Sequence, residues 1–126
     1  MDAEHIRELF RSFGPVAVRA MFGGAGVYAD GVMFALVSRD IIYRKADEHT
    51  TPAFELEGMG PFTYATKGGR RVLTSYWRMP DRLYDDPDEL AHWAEAAFAV
   101  ARRKAAVGRN GTGTDRGGEG APGRRR

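Results

Sequence analysis

Two glycine-punctuated, β-forming stretches constrain this chain more than any other feature. The first is Met21-Phe22-Gly23-Gly24-Ala25-Gly26-Val27-Tyr28-Ala29-Asp30-Gly31-Val32-Met33-Phe34, and the second is Gly58-Met59-Gly60-Pro61-Phe62-Thr63-Tyr64. Glycine at such places suits tight turns and bulges between short strands, where a side chain would strain the backbone or block a close approach. Neither stretch carries a nucleophile, a metal-ligand cluster or a phosphate loop. The expectation is a small binding or regulatory domain rather than an enzyme.

The flanking segments supply helices. Ile6, Leu9, Phe10 and Phe13 recur at helical spacing, which predicts a first helix over 2–13, capped by Asp2 and ended by Gly14-Pro15. Val16, Val18 and Ala20 alternate as a strand, and Asp30-Gly31 suits a two-residue hairpin turn between Val27–Ala29 and Val32–Val37. Ser38-Arg39-Asp40 predicts another turn before the strand Ile41–Arg44. Thr51, read as a cap, and Pro52, read as a first helical residue, predict a short helix to Glu57, stopped by Gly58. Phe62–Thr66 and Val72–Trp77 read as strands around Lys67-Gly68-Gly69-Arg70. Asp86-Pro87-Asp88-Glu89 begins the last helix. Its apolar stripe is Leu90, Trp93, Ala94, Ala97, Phe98 and Ala101, and Gly108 is its expected end. Helices with one apolar stripe need a sheet to cover. The fold class is therefore α+β, two-layer, with an antiparallel sheet of about five to six strands and helices packed on one face.

Bulk properties bound the rest. The 126 residues fit one domain, 43% of them hydrophobic, enough for a core. There is no cysteine, which excludes disulfides, Cys-ligated zinc and thiol catalysis. No apolar run reaches the roughly 20 residues that cross a bilayer, and the acidic start Asp2-Ala3-Glu4-His5 is wrong for a signal peptide. A cytoplasmic protein without membrane contact is expected. The net charge of +2 divides unevenly. Residues 108–126 hold five arginines against Asp115 and Glu119, whereas residues 1–107 hold 14 basic and 15 acidic side chains. The domain at 1–107 is thus near neutral. The segment 108–126, with seven glycines and no Leu, Ile, Phe, Trp or Tyr, is expected to be a disordered Gly/Arg-rich tail.

Several separated motifs, in order, resemble the TfoX/Sxy N-terminal domain family. They are Met21-Phe22-Gly23-Gly24 with Gly26-Val27-Tyr28, then Asp30-Gly31-Val32-Met33-Phe34-Ala35-Leu36-Val37 and Ile42-Tyr43-Arg44-Lys45-Ala46-Asp47. Pro61-Phe62-Thr63-Tyr64, Ser75-Tyr76-Trp77-Arg78-Met79-Pro80 and Asp85-Asp86-Pro87-Asp88-Glu89-Leu90 continue them. The resemblance spans about residues 5–104. It implies an α+β fold, a bacterial cytoplasmic protein and kinship with regulators of natural competence, which support transcription of DNA-uptake genes. It implies no catalytic residue. The full-length regulators carry a second helical domain, and here the Gly/Arg tail stands in that place, so a stand-alone version is expected. The positions Met21, Phe22, Gly23, Gly24, Gly26, Tyr28, Gly31, Phe34, Tyr43, Lys45, Phe62, Tyr64, Tyr76 and Pro80 match the family pattern and are read as structural.

Each chemical reading competes with a plainer one. Gly23-Gly24-Ala25-Gly26 precedes a β-pattern, not a helix N-terminus, so a bulge or tight turn is favoured over a phosphate cradle. The three histidines lie apart, and His92 falls on the polar side of its helix. Asp81, Asp85, Asp86 and Asp88 lack the glycine and terminal glutamate of a calcium loop. Phe62, Tyr64, Tyr76 and Trp77 are expected to pack under the helices rather than stack on bases. Catalytic residues, metal ligands and cofactors are expected to be none.

Three functions remain. The first is a non-catalytic regulatory or protein-interaction domain, whose contact surface is a sheet edge or the face away from the helices. Its partner is another protein, of the transcription machinery or a regulator, or a second copy as a homodimer. The alternative is weak nucleic-acid binding through Lys67, Arg70 and Arg71 on the hairpin and Arg124, Arg125 and Arg126 in the tail. A small-molecule role for the space between sheet and helices ranks last.

Overall fold

The computed structural model describes residues 1–21 and 23–110, with backbone only for 108–110. Phe22 and residues 111–126 of the expected tail, including Arg124, Arg125 and Arg126, lie outside the described residues. The elements run α1 (Ala3–Leu9), β1 (Ala17–Met21), β2 (Gly24–Ala29), β3 (Val32–Ser38), β4 (Ile41–Lys45), α2 (Thr51–Leu56), β5 (Pro61–Thr66), β6 (Gly69–Arg78), a 3-10 turn (Asp81–Asp85) and α3 (Pro87–Asn110). The six strands form one antiparallel sheet in the order β1-β2-β3-β4-β6-β5. Helices cover one face of it, as the two-layer reading expects.

Local chemistry places the elements. The Asp2 carboxylate accepts from the His5 amide 2.9 Å away and caps α1. That helix stops at Leu9, short of the expected Phe13. The Phe13 amide donates to the Phe10 carbonyl three residues back, so the chain tightens into turns before Gly14 at φ 138°. These turns keep Phe13 on the apolar side. Its ring lies 5.1 Å from Phe34 and 6.0 Å from Phe98.

The β1–β2 turn has Gly23 at φ 66°, and the β2–β3 turn has Asp30 and Gly31 at φ 50° and 76°, the paired positive angles of a tight hairpin. The third turn carries positive φ on Arg39 and Asp40 without glycine, and the Asp40 carboxylate pairs with the amino terminus of Met1.

Thr50, not Thr51, sits at the N-cap position of α2, which places Pro52 second in the helix. The shift follows from Asp47. Its carboxylate accepts from the His49 and Thr50 amides, and Thr50 Oγ1 accepts from the Asp47 amide, closing a turn that starts the helix one residue early. The Asp86 carboxylate accepts from the Glu89 amide at the start of α3. That helix continues to Asn110, past the expected stop at Gly108; interior glycine costs a helix only about 1 kcal/mol.

The core lies between the helices and the sheet. Ile6, Phe10, Val27, Phe34, Ala35, Ile42, Leu83, Leu90, Ala94 and Ala97 are all nearly inaccessible. Burying ten such side chains at about 1–3 kcal/mol each supplies the main drive to fold. Arg44, on the strand between Ile42 and Ala46, is buried with them.

Candidate interaction face

The face of the sheet away from the helices is shaped by two irregularities. Val27 pairs with Ala35 but Tyr28 pairs with Met33, so Phe34 is an extra residue in β3. A bulge of this kind turns two successive side chains the same way. Phe34 and Ala35 both enter the core, and Met33 and Leu36 look out on the far face. In β5, Pro61 pairs with Trp77 while its neighbour Phe62 pairs with Leu73. The indole N–H of Trp77 donates to the Thr74 carbonyl at 2.9 Å inside that irregular stretch.

The second irregularity goes with a curled sheet. Edge strands β1 and β5 would stand about 24 Å apart in a flat one, five spacings of about 4.8 Å. Instead Met21 of β1 and Tyr64 of β5 line one cavity of about 390 Å³, together with Met33, Leu36, Phe62 and Leu73. The β5–β6 hairpin therefore arches back over the far face and makes a groove with an apolar lining.

Two glycines of the first motif serve this shape. A Cβ on Gly24 would lie 1.9 Å from the Val37 carbonyl oxygen, so only glycine lets β2 approach β3 there. A Cβ on Gly26 would meet the Met33 and Met21 sulfurs at 2.9 and 3.1 Å and the Tyr28 ring at 3.0 Å. Both sulfurs lean over its bare backbone. The tight-turn reading holds for Gly23, whereas Gly24–Gly26 lie within β2 itself in regular register with β1, and a strand rather than a helix N-terminus begins there.

The aromatic set divides by strand parity, which corrects the expectation that it packs under the helices. Trp77 does so, 6.0 Å from Phe54. Phe62 and Tyr64 stack on each other at 5.7 Å on the groove side, and Tyr43 meets Phe62 edge-on at 4.7 Å. Tyr64 is 42% exposed. Tyr76 lies opposite Lys45 in the ladder, with the ammonium 4.9 Å from its ring. Burial pushes the Tyr76 phenol up to about 12, with nearby Tyr28 adding to the effect. Burial and then Lys104 lower Lys45. Of the remaining family positions, Gly31 sits in its turn and Pro80 is buried where β6 leads into the 3-10 turn.

Cations border the groove. The Arg19 guanidinium lies 4.8 Å over the Tyr28 ring, and Arg71 stands opposite Tyr64. Lys67, Arg70 and Arg71 are exposed, as the hairpin reading expects. The structure does not unite them: Arg70 and Arg71 are neighbours on a strand and face opposite sides, and Arg70 donates to Thr63 Oγ1 at 2.6 Å.

Sequence reasoning missed Met33, Leu36, Leu73 and Arg19 as groove residues. Alternation along β1 and β6 was a usable signal for Arg19 and Leu73. For Met33 and Leu36 the unseen bulge broke the alternation.

Among the described residues no cluster of three or more His, Asp or Glu side chains is arranged to hold a metal, and no helix is long and apolar enough to cross a membrane. The family model of the TfoX N-terminal domain matches residues 8–101. No curated protein gives a significant match to the chain.

Proposed function

Because the chain belongs to the TfoX N-terminal domain family, we propose that it is a non-catalytic regulatory module that captures a partner protein in the groove on the far side of its sheet. The observation that carries this reading is the cavity between Met21, Met33 and Leu36 on one side and Phe62, Tyr64 and Leu73 on the other. Met21 and Tyr64 remain 43% and 42% exposed, which leaves apolar surface on both sides of the groove open to a partner. The bordering Arg19 and Arg71 favour a segment with apolar anchors and acidic flanks. The family kinship favours a partner within transcriptional control, of the competence type, in the cytoplasm of a bacterium.

Site-specific photo-crosslinking tests this. A photoreactive residue in place of Ala65, an exposed residue of the groove lining, should give a protein adduct in cells. Met21→Glu and Tyr64→Glu should abolish the adduct, while Ala99→Glu on the exposed side of α3 should keep it. An adduct that survives both groove substitutions would exclude the groove as the docking site. An adduct between two copies of this chain would make the partner a homodimer.

A further inference from the structure

A second cavity, on the helix side, has a chemistry that the groove reading does not use. It measures about 400 Å³ and lies between β4, α2 and α3. Ala53, Phe54, Trp93, Ala96 and Ala97 give it mostly apolar walls, and Arg44 belongs to its lining. Its size falls within the usual range for small-molecule sites.

Arg44 is the unusual member. Its side chain is the one fully buried charged group among the described residues. Trp93 and Phe54 present ring faces to its guanidinium at 4.8 and 5.6 Å. Ring faces attract a cation but accept no in-plane hydrogen bond. Nε and Nη1 have no hydrogen-bond partner among the described residues. A buried guanidinium with unused in-plane donors and no facing carboxylate is incomplete, because such groups are normally both paired and hydrogen-bonded.

The surroundings select the sign of what completes it. Lys45, His49 and His92 also line the cavity. Its one acid, Glu89, accepts from the Trp93 indole N–H at 3.2 Å and lies 3.9 Å from Arg82, so it is already engaged. The site therefore offers unused in-plane guanidinium donors, flat aromatic walls and no unengaged acid in its lining. That combination matches a carboxylate carried on an apolar body: a carboxylate oxygen accepts from an unused guanidinium N–H, and the body lies against Phe54 and Trp93.

We propose that the cavity between β4, α2 and α3 binds a small organic carboxylate with an aromatic or aliphatic body, with Arg44 as its counter-charge. Arg44 is covered in this state, so entry displaces the Phe54 ring, which rides on the six-residue helix α2. The binding is a simple association, and no bond of the ligand is made or broken.

The probes are 2-naphthoate, octanoate, the neutral 2-naphthalenemethanol and inorganic phosphate. They are titrated into the full chain by calorimetry and by tryptophan fluorescence, since Trp93 lies in the wall. At least one of the two carboxylates should bind with a dissociation constant below about 1 mM. Arg44→Gln and the neutral alcohol should each weaken binding about tenfold or more. Ala96→Phe, an exposed wall position that fills the cavity while keeping Arg44, should abolish it and serves if the Arg44 variant misfolds. Phosphate should bind more weakly than the carboxylates. The proposal is overturned if neither carboxylate binds at about 5 mM. It is equally overturned if Arg44→Gln, Ala96→Phe or the uncharged alcohol binds as well as the wild-type carboxylate pair does, or if phosphate matches the carboxylates.

Discussion

Replacing Arg44 with methionine should make the protein more stable. Burial lowers the Arg44 guanidinium well below its ordinary value, to about 9, with a smaller opposing effect from Tyr84. A displacement of about 3.5 on the pH scale corresponds to roughly 5 kcal/mol against the charged native form. Two desolvated ring faces offset about 2 kcal/mol each. The net is a destabilisation of roughly 1 kcal/mol. Methionine has a similar stem, no charge, and a sulfur suited to aromatic neighbours. Replacing buried ionic groups by apolar ones of similar volume typically stabilises by about 1–4 kcal/mol. A gain of about 1–3 kcal/mol would raise Tm by roughly 4–12 °C in a domain of this size.

Thermal unfolding by circular dichroism at neutral pH measures the gain directly. The pH dependence supplies an internal check. Below about pH 9 Arg44 is charged in both states and the penalty is constant. Above it the native protein loses that proton before the unfolded chain does. The unfolded state then binds more protons, and wild-type stability rises relative to the variant. The advantage of Arg44→Met should therefore shrink as pH is raised from about 8.5 to about 10. A variant that melts below wild type at neutral pH would refute the reasoning and make the cation sandwiched by Phe54 and Trp93 a net structural asset.

Three further outcomes are expected. Tyr84→Phe removes the hydroxyl that accepts from the Ile42 amide at 2.9 Å; an orphaned strand amide should cost about 1–3 kcal/mol in urea unfolding, and no loss would mean the amide finds another acceptor. Burial alone would raise the Asp47 carboxyl, but the Arg103 side chain at 3.0 Å and the His49 and Thr50 amides outweigh it, and the group titrates below its ordinary value. Its contribution is present above about pH 4 and is lost as pH falls through the native value, so Asp47→Asn should cost about 1 kcal/mol at pH 7 and progressively less toward pH 3; a difference independent of pH would contradict that linkage. Gly24→Ala should cost about 3 kcal/mol because its Cβ meets a backbone carbonyl, whereas Gly26→Ala should stay within about 1 kcal/mol because methionine sulfurs can move aside, and denaturation midpoints of the pair that coincide would undo the distinction.

What the amino-acid order determined by itself was mostly punctuation. Asp30-Gly31, Gly23, Gly58, Asp2 and Asp86-Pro87 act through groups one to four residues away, so turns, caps and the sequence of elements were legible from them. The stripe on α3 named its buried face for the same reason, since helical period alone sets it. Boundaries slipped where a neighbour's side chain competed, as Asp47 did at the start of α2.

The groove and the Arg44 cavity were decided by tertiary structure. One extra residue at Phe34 inverts the parity of everything before it, and no local rule signals where a bulge will fall. The curl that brings Met21 to Tyr64 depends on pairing between segments far apart in the chain. Arg44 lies on the same parity as Ile42 and Ala46, which marked it for the core, yet its partners Phe54 and Trp93 come from two helices that only packing brings together. Short-range sterics and capping are written in adjacent residues. The side a strand presents, and what stands opposite it, are properties of the assembled sheet.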